Sequence, residues 1–251
     1  VMRRIPAANV VWRMGIPEGV QDAGGYNTAH NVLLTEDYYM GVFELTQGQY
    51  SNYASNPSVT KDPFCPVSKI DCVHLRGQNA LLADDPYGWP KADHPVSPAS
   101  VIGKMRKHTG LKTLDIPTDA QWEYACRAGT TSPFNVDTNQ VALTEIVWYN
   151  GTAKAAVQRV GTRRPNNWGL YDMHGNVREF CREWLKENLG TEAQRDPITL
   201  GVYGNGVVIR GGGCGEGEIN RCRSAWRGWR AVDNSNSSYL VQDGFRLSLT
   251  R

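Results

Sequence analysis

Apolar and polar residues alternate along 9–16, Asn-Val-Val-Trp-Arg-Met-Gly-Ile, with Val10, Trp12, Met14 and Ile16 on one side. That period of two predicts a half-buried strand. Residues 30–45, HNVLLTEDYYMGVFEL, predict two more strands around a turn at Thr35-Glu36-Asp37. The period then changes. Thr46-Gln47-Gly48-Gln49 has the form of a capping box, in which a hydroxyl and an amide three residues apart satisfy each other's backbone N–H groups. It predicts a helix over 47–54 that stops before Pro57, with Tyr50 and Tyr53 inward. A second helix is predicted over 99–108. Thr118 and Gln121 repeat the box and predict a third helix, with Trp122, Ala125 and Cys126 on one face and Gly129 closing it. Six prolines between Pro57 and Pro95 leave that span irregular. VVIRGGG (207–213) and DGFRLSL (243–249) predict two strands that enclose a loop-rich segment. Short helices early, then irregular chain and strands, describe an α+β domain.

Composition narrows the function. With 251 residues, 40% of them hydrophobic, the chain can bury a substantial core. The net charge is +2 and no Lys/Arg run appears, which gives no nucleic-acid footprint. The arginines from Arg210 to Arg246 are interleaved with Gly, Glu and Trp, and read as hydrogen-bonding struts. No apolar run reaches membrane-spanning length. No signal peptide is visible, and the chain starts at Val, so it is open to being part of a larger chain. The six cysteines lack a CxxC pair, which argues against structural zinc. Cys65 with Cys72, and Cys214 with Cys222, are candidate disulfides in an oxidising compartment. Cys126 and Cys181 read as buried thiols. The five histidines form neither HExxH nor HxxxH, and the chain has no P-loop or GxGxxG.

One stretch, Asn166–Trp184 (NNWGLYDMHGNVREFCREW), crowds two glycines, several aromatics and two closely spaced acids, Asp172 and Glu179, together, with Glu183 following. Asp172 and Glu179 bracket a turn through Gly175. Their spacing admits two readings, a loop folding its oxygens around a hard cation and a polar surface turn.

Several segments share a pattern in content and order: DYYMGVFELTQGQYSNY (37–53), HPVSPAS (94–100), IPTDAQWEYACRAGTTSPF (116–134), RRPNNWGLYDMHGNVREF (163–180), RGGG (210–213), RCRSAWRGW (221–229) and DGFRL (243–247). Together they resemble the formylglycine-generating enzyme, or sulfatase-modifying factor, domain. The resemblance spans nearly the whole chain and implies an α+β, elaborated C-type lectin fold with little regular secondary structure, in one domain over 1–251. It implies a structural calcium held by the side chains of Asp172 and Glu179 and the carbonyls of Gly175 and Val177. A further calcium loop of the family matches Asn150–Val160, which has no carboxylate, and is not carried over.

The catalytic pattern departs from the family. Its enzyme uses two cysteines five apart, after a Gly-Gly-Ser strand end, to bind copper(I) and oxidise a target cysteine to formylglycine. Here the text is RGGGCGEGEINRCRSAWR, with Cys214 and Cys222 eight apart, Gly213 in place of the Ser, and Arg178 in place of a Trp. Spacing sets which thiolates converge on a soft metal, so no catalytic residue is assigned. Cys214 and Cys222 are the pair for the alternative, a copper-dependent formylglycine-forming oxidase. Sulfoxide synthases of the same family add a histidine iron motif that is absent here. Other relatives, the variable proteins of diversity-generating retroelements, use the fold as a non-catalytic display scaffold and vary the segment matching Cys214–Asp243. That likeness implies a ligand-binding surface of Trp226, Trp229, Arg230, Asn234, Asn236 and Tyr239, a protein or glycan ligand, and display on a bacterial or phage surface. Adenine-directed change of Asn codons cannot yield Trp, Glu or Gln, which removes Trp226, Trp229, Glu216 and Gln242 from the variable set. Ala231–Val241 contains only permitted residues.

Overall fold

Thr46 and Thr118 each start a helix as the pattern predicts, and both capping boxes close. The Gln49 N–H donates to Thr46 Oγ1 at 3.3 Å and the Thr46 N–H donates back to Gln49 Oε1 at 3.1 Å. The matching bonds between Thr118 and Gln121 are 3.1 and 3.0 Å. The computed structural model describes residues 1–16, 27–77, 96–199, 206–231 and 242–250.

In chain order the first half carries β1 (Met2–Ile5), β2 (Val10–Met14), β3 (His30–Leu34), β4 (Tyr38–Gly41), α1 (Gln47–Tyr50), α2 (Cys72–Arg76), α3 (Val101–Thr109), β5 (Leu114–Asp115) and α4 (Asp119–Arg127). The second half carries β6 (Val147–Trp148), α5 (Asn150–Ala153), β7 (His174–Gly175), β8 (Arg178–Trp184), β9 (Gln194–Arg195), β10 (Val207–Arg210), β11 (Gly228–Arg230), β12 (Asp243–Gly244) and β13 (Ser248–Thr250). The sheets have the orders β1-β4-β13-β5, β11-β10-β8-β12, β2-β3-β9 and β6-β7. This is an α+β fold with few helices.

β8 and β10 form its centre. Phe180, Trp184, Val207 and Ile209 enter one apolar cluster with Ile102 and Phe245. Cys181, Leu185 and Val208 enter the other, with Trp122 and Tyr38. Strand side chains alternate between faces, so both faces of this pair are buried. β10 accordingly reads as a continuous apolar run, Val207-Val208-Ile209, before Arg210, whereas β8 buries Glu179 and Glu183 among its apolar residues.

Several expectations are refined. β3 and β4 flank the predicted turn but join different sheets, because the Asp37 carboxylate accepts the Ala7 and Ala8 N–H groups at 2.8 and 2.9 Å and turns the chain away. Helix α1 ends at Tyr50; Ala54 N–H still reaches the Tyr50 carbonyl at 3.1 Å, a turn that continues the predicted span irregularly. DGFRLSL divides into β12, parallel to β8, and β13, in another sheet. Phe245 and Arg246 dive into the core between them. Cys65, Cys126, Cys181, Cys214 and Cys222 are all free and buried, so neither candidate disulfide is formed.

Candidate functional site

The stretch Asn166–Trp184 is fastened at its start by one amide. Asn166 Nδ2 donates to the Ala125 carbonyl at 2.7 Å, while its Oδ1 accepts the Trp168 and Leu170 N–H groups, each at 3.0 Å. The backbone then takes positive φ at Asp172 (56°), Gly175 (95°) and Asn176 (63°). Gly175 is required there, since a Cβ would fall 2.0 Å from the Trp148 carbonyl oxygen.

A carboxylate outside the stretch holds this bend. Glu44, fully buried, accepts the Val177 N–H at 2.9 Å and Asn176 Nδ2 at 2.6 Å. Burial, with Asp172 and Glu179 nearby, pushes the Glu44 carboxyl well above its ordinary range. Asp172 Oδ2 accepts the Gly161 N–H at 2.7 Å, and Oδ1 is buried without a partner. Burial raises the Asp172 carboxyl to about 6, against the lowering pull of the Gly161 N–H.

Glu179 is committed elsewhere. Arg246 Nε donates to its Oε2 and Nη2 to its Oε1, each at 2.6 Å, and Trp122 Nε1 adds a bond to Oε2 at 2.7 Å. A calcium ion needs six to eight oxygens free to turn toward it. As placed, Glu179 has three of its four acceptor sites taken by Arg246 and Trp122 and Asp172 has one oxygen without a partner, too few free sites for these side chains to share an ion with the Gly175 and Val177 carbonyls. Among the described residues, no group of three or more His, Cys, Asp and Glu is arranged to hold a metal. The bend is gripped by Glu44, and β8 by the Arg246–Glu179 pair.

Next to the bend lie Cys214 and Cys222, both 0% exposed. Burial pushes the Cys214 thiol up to about 12, helped by Glu44, and raises Cys222 further. Cys222 packs with Phe134, Ile146 and Val147. Its carbonyl accepts His174 Nδ1 at 2.7 Å, and His174 Nε2 accepts the Asn135 N–H at 3.2 Å. Burial lowers His174 to about 4, so the ring is neutral and serves as a strut. A copper(I) centre that oxidises a substrate needs thiolates a substrate can approach. These two thiols do not fit that requirement.

Arg178, where the resemblance expects a Trp, donates through Nε to Asp243 at 2.7 Å and through Nη1 to Glu216 at 3.3 Å. Arg230 also pairs with Asp243. Gln242 Oε1 accepts the Gly215 N–H at 2.8 Å. The two ends of Cys214–Asp243 are thereby tied together and to β8. Of the proposed contacts, Trp226 and Trp229 are half-buried, packed against one apolar cluster each. Arg230 is half-buried in its ion pair. Asn234, Asn236 and Tyr239 lie outside the described residues. Arg246 is the hydrogen-bonding strut expected of the C-terminal arginines, whereas motif spacing gave no role to Glu44 or Asn176, although both sit inside the quoted segments VFEL and GNV.

With this geometry in hand, comparison defines the class. Residues 5–250 match the sulfatase-modifying factor enzyme 1-like domain, and the chain belongs to that family. A chaperone protein LppX of Paenibacillus barcinonensis is 27% identical over 61% of this chain and 64% of its own length. The serine/threonine-protein kinase pkn1 of Chlamydia pneumoniae is 25% identical over 86% of this chain and 33% of its own. The formylglycine-generating enzyme of Streptomyces coelicolor is 30% identical over 52% of this chain and 45% of its own. The chain thus spans between a third and two thirds of the length of these relatives. Among solved structures, Treponema denticola variable protein 1 superposes with a TM-score of 0.74 at 22% identity, covering 100% of this chain and 95% of that one. PvdO from Pseudomonas aeruginosa gives 0.74 at 20%, covering 98% and 93%. These likenesses establish the fold. Among the described residues, no helix is long and apolar enough to cross a membrane.

Proposed function

We propose that this chain is a non-catalytic ligand-binding domain whose binding surface is the C-terminal segment Cys214–Asp243, taking a protein or glycan ligand. The observation that carries this reading is the complete burial of Cys214 and Cys222. Two protonated, enclosed thiols leave a substrate cysteine nowhere to meet them. Support also comes from the anchoring of the segment. Arg178, Arg230 and Gln242 fasten its ends, and loops on a rigid base are what binding surfaces use. Trp226 and Trp229 are half-buried, and a half-buried Trp can offer one edge to a partner while the other stays packed. Likeness in fold to a variable protein is consistent with this.

The discriminating experiment loads reduced protein with copper(I) and incubates it in air with a cysteine-containing peptide. No aldehyde is expected in the peptide by mass spectrometry, and aldehyde formation lost in Cys214→Ser would install the oxidase instead. In parallel, the immobilised domain is probed with glycan and peptide libraries. Binding should weaken in Trp229→Ala while the melting transition is retained. A ligand whose affinity is unchanged by Trp226→Ala and Trp229→Ala would move the surface elsewhere.

A further inference from the structure

Asn150 and Gly151 open α5, and both are exposed. An asparagine followed by glycine carries a reaction within itself, because a nitrogen with no Cβ beside it lets the neighbouring side-chain carbon approach closely. Here the fold leaves both reacting groups open. Among the described residues, neither the Asn150 side-chain amide nor the Gly151 N–H makes a hydrogen bond. The first N–H groups of a helix have no partner inside it. The groups around them are engaged. The Asn150 N–H donates to the Glu216 carbonyl at 3.1 Å, the Ala153 N–H to the Tyr149 carbonyl at 2.7 Å, and the Lys154 N–H to the Asn150 carbonyl at 3.0 Å.

Packing keeps the pair in place. A Cβ on Gly151 would fall 2.5 Å from Tyr149 Cζ and Oη, so glycine is what lets that ring lie over the turn. The helix has four residues, and a helix of one turn has little stability of its own. Opening it locally therefore costs little. The pair also touches the C-terminal segment. Glu216, bonded through its carbonyl to Asn150, receives Arg178 Nη1 at 3.3 Å and Arg221 Nη1 at 3.5 Å on its carboxylate. Helix α5 and strand β8 thus hold Glu216 from its two ends, the first through the main chain and the second through the side chain.

We propose that Asn150 is a modification site at which Gly151 drives deamidation, and that the isoaspartyl product frees Glu216 from α5. The Gly151 nitrogen forms a bond to Asn150 Cγ and gives up its proton. The Cγ–Nδ2 bond breaks, and Nδ2 leaves with that proton as ammonia. A five-membered succinimide remains. Water then adds to one of its two carbonyls. Opening the bond from Cγ to the Gly151 nitrogen leaves aspartate in an unchanged main chain. Opening the bond from the main-chain carbonyl carbon to that nitrogen leaves isoaspartate, in which the chain runs through Cβ and Cγ. The sum is amide plus water giving carboxylic acid plus ammonia, with nothing oxidised or reduced. In isoaspartate the carbonyl that accepts the Lys154 N–H becomes a free carboxylate, so α5 loses its closing bond beside the Asn150–Glu216 contact. Aspartate keeps that carbonyl in place.

The test incubates the full folded chain in warm, mildly alkaline buffer, beside the same chain unfolded in urea, and maps tryptic peptides by mass spectrometry. Fragmentation of the peptide ending at Lys154 should locate a gain of one mass unit at Asn150, with aspartate and isoaspartate both formed. The folded chain should convert within about tenfold of the unfolded rate, as expected where local opening costs little. Asn205-Gly206 has the same pattern, and Asn205 lies outside the described residues; its peptide, ending at Arg210, is read separately. In Asn150→Gln, at an exposed position, the gain should vanish, because the ring would need six members. The isoaspartyl fraction, purified by ion exchange, should show faster amide hydrogen exchange over 149–154 and 214–218 than Asn150→Asp, whose main chain is unchanged. The proposal would be overturned by Asn150 persisting in the folded chain while it converts in urea, or by conversion surviving in Asn150→Gln. Aspartate forming without isoaspartate, or equal exchange in the isoaspartyl fraction and Asn150→Asp, would overturn it as well.

Discussion

Arg246 meets Glu179 in a two-pronged ion pair, both residues fully buried, with each nitrogen–oxygen distance 2.6 Å. The same guanidinium donates to the Gly41 carbonyl at 3.1 Å and the Tyr171 carbonyl at 3.0 Å. One side chain thus joins β4, the bend before β7, and β8. Removing it strands a buried carboxylate and two carbonyls. Arg246→Met should cost about 3–5 kcal/mol, the usual penalty for breaking a buried pair from one side. Arg246→Lys should recover only part, because an ammonium cannot match the planar fork. Urea denaturation checks this; a loss under about 1 kcal/mol would show that the pair is not the fastening point.

Glu183 gives the stability a pH dependence of definite sign. Burial, with the Asp119 carboxylate nearby, pushes its carboxyl up to about 8 in the fold, against an ordinary 4.5. Between those values the folded form binds more protons than the unfolded one, so stability falls as pH rises. The slope is at most about 1.4 kcal/mol per pH unit for one proton. Below 4.5 both forms are protonated and the penalty vanishes; above 8 it is complete. Glu183→Gln should therefore match the parent at the acid end and exceed it in stability at pH 8. A variant whose advantage is the same at both ends would refute the assignment.

Calcium removal tests the other grip. Glu179 has three of its four acceptor sites taken by Arg246 and Trp122, and Glu44 holds the bend by hydrogen bonds to Asn176 and Val177. Melting curves recorded with EGTA and with added calcium are expected to superimpose. A clear rise in melting temperature with calcium, abolished by Asp172→Asn, would place an ion at this bend.

Much of this could be read along the chain, because local rules decide it. Thr46 with Gln49 and Thr118 with Gln121 announce their helices through groups three residues apart. The alternation of Val10, Trp12 and Met14 survives in β2. Motif order carried the fold and the family. What could not be read are the pairings across long separations. Glu44 lies 132 residues from the Asn176 it holds, and Glu179 lies 67 from Arg246. Spacing left Asp172 and Glu179 open between an ion loop and a polar turn, and the resemblance pointed to the ion, whereas three-dimensional proximity gives Glu179 to an arginine.

Arg178 supplies the final prediction. It stands where the family's enzyme has an aromatic, and it binds Asp243 directly across the β8–β12 pairing, at the register Asp243↔Arg178. Asp243 is 0% exposed and also receives Arg230. In Arg178→Trp the indole has no cation to offer, so Asp243 loses one of its partners and Glu216 loses another. Because Arg230 remains on Asp243, the expected loss is moderate, about 2–3 kcal/mol. A double-mutant cycle with Arg230→Met should give a coupling above about 0.5 kcal/mol, since both arginines share one carboxylate. The substitution restores the enzyme's aromatic but leaves Cys214 and Cys222 buried and eight residues apart, so peptide oxidation should stay absent when copper(I) is supplied. Independence of the two arginines in the cycle would show that Asp243 does not couple β8 to the C-terminal segment. Recovery of oxidation would show that Arg178 alone had silenced the thiols.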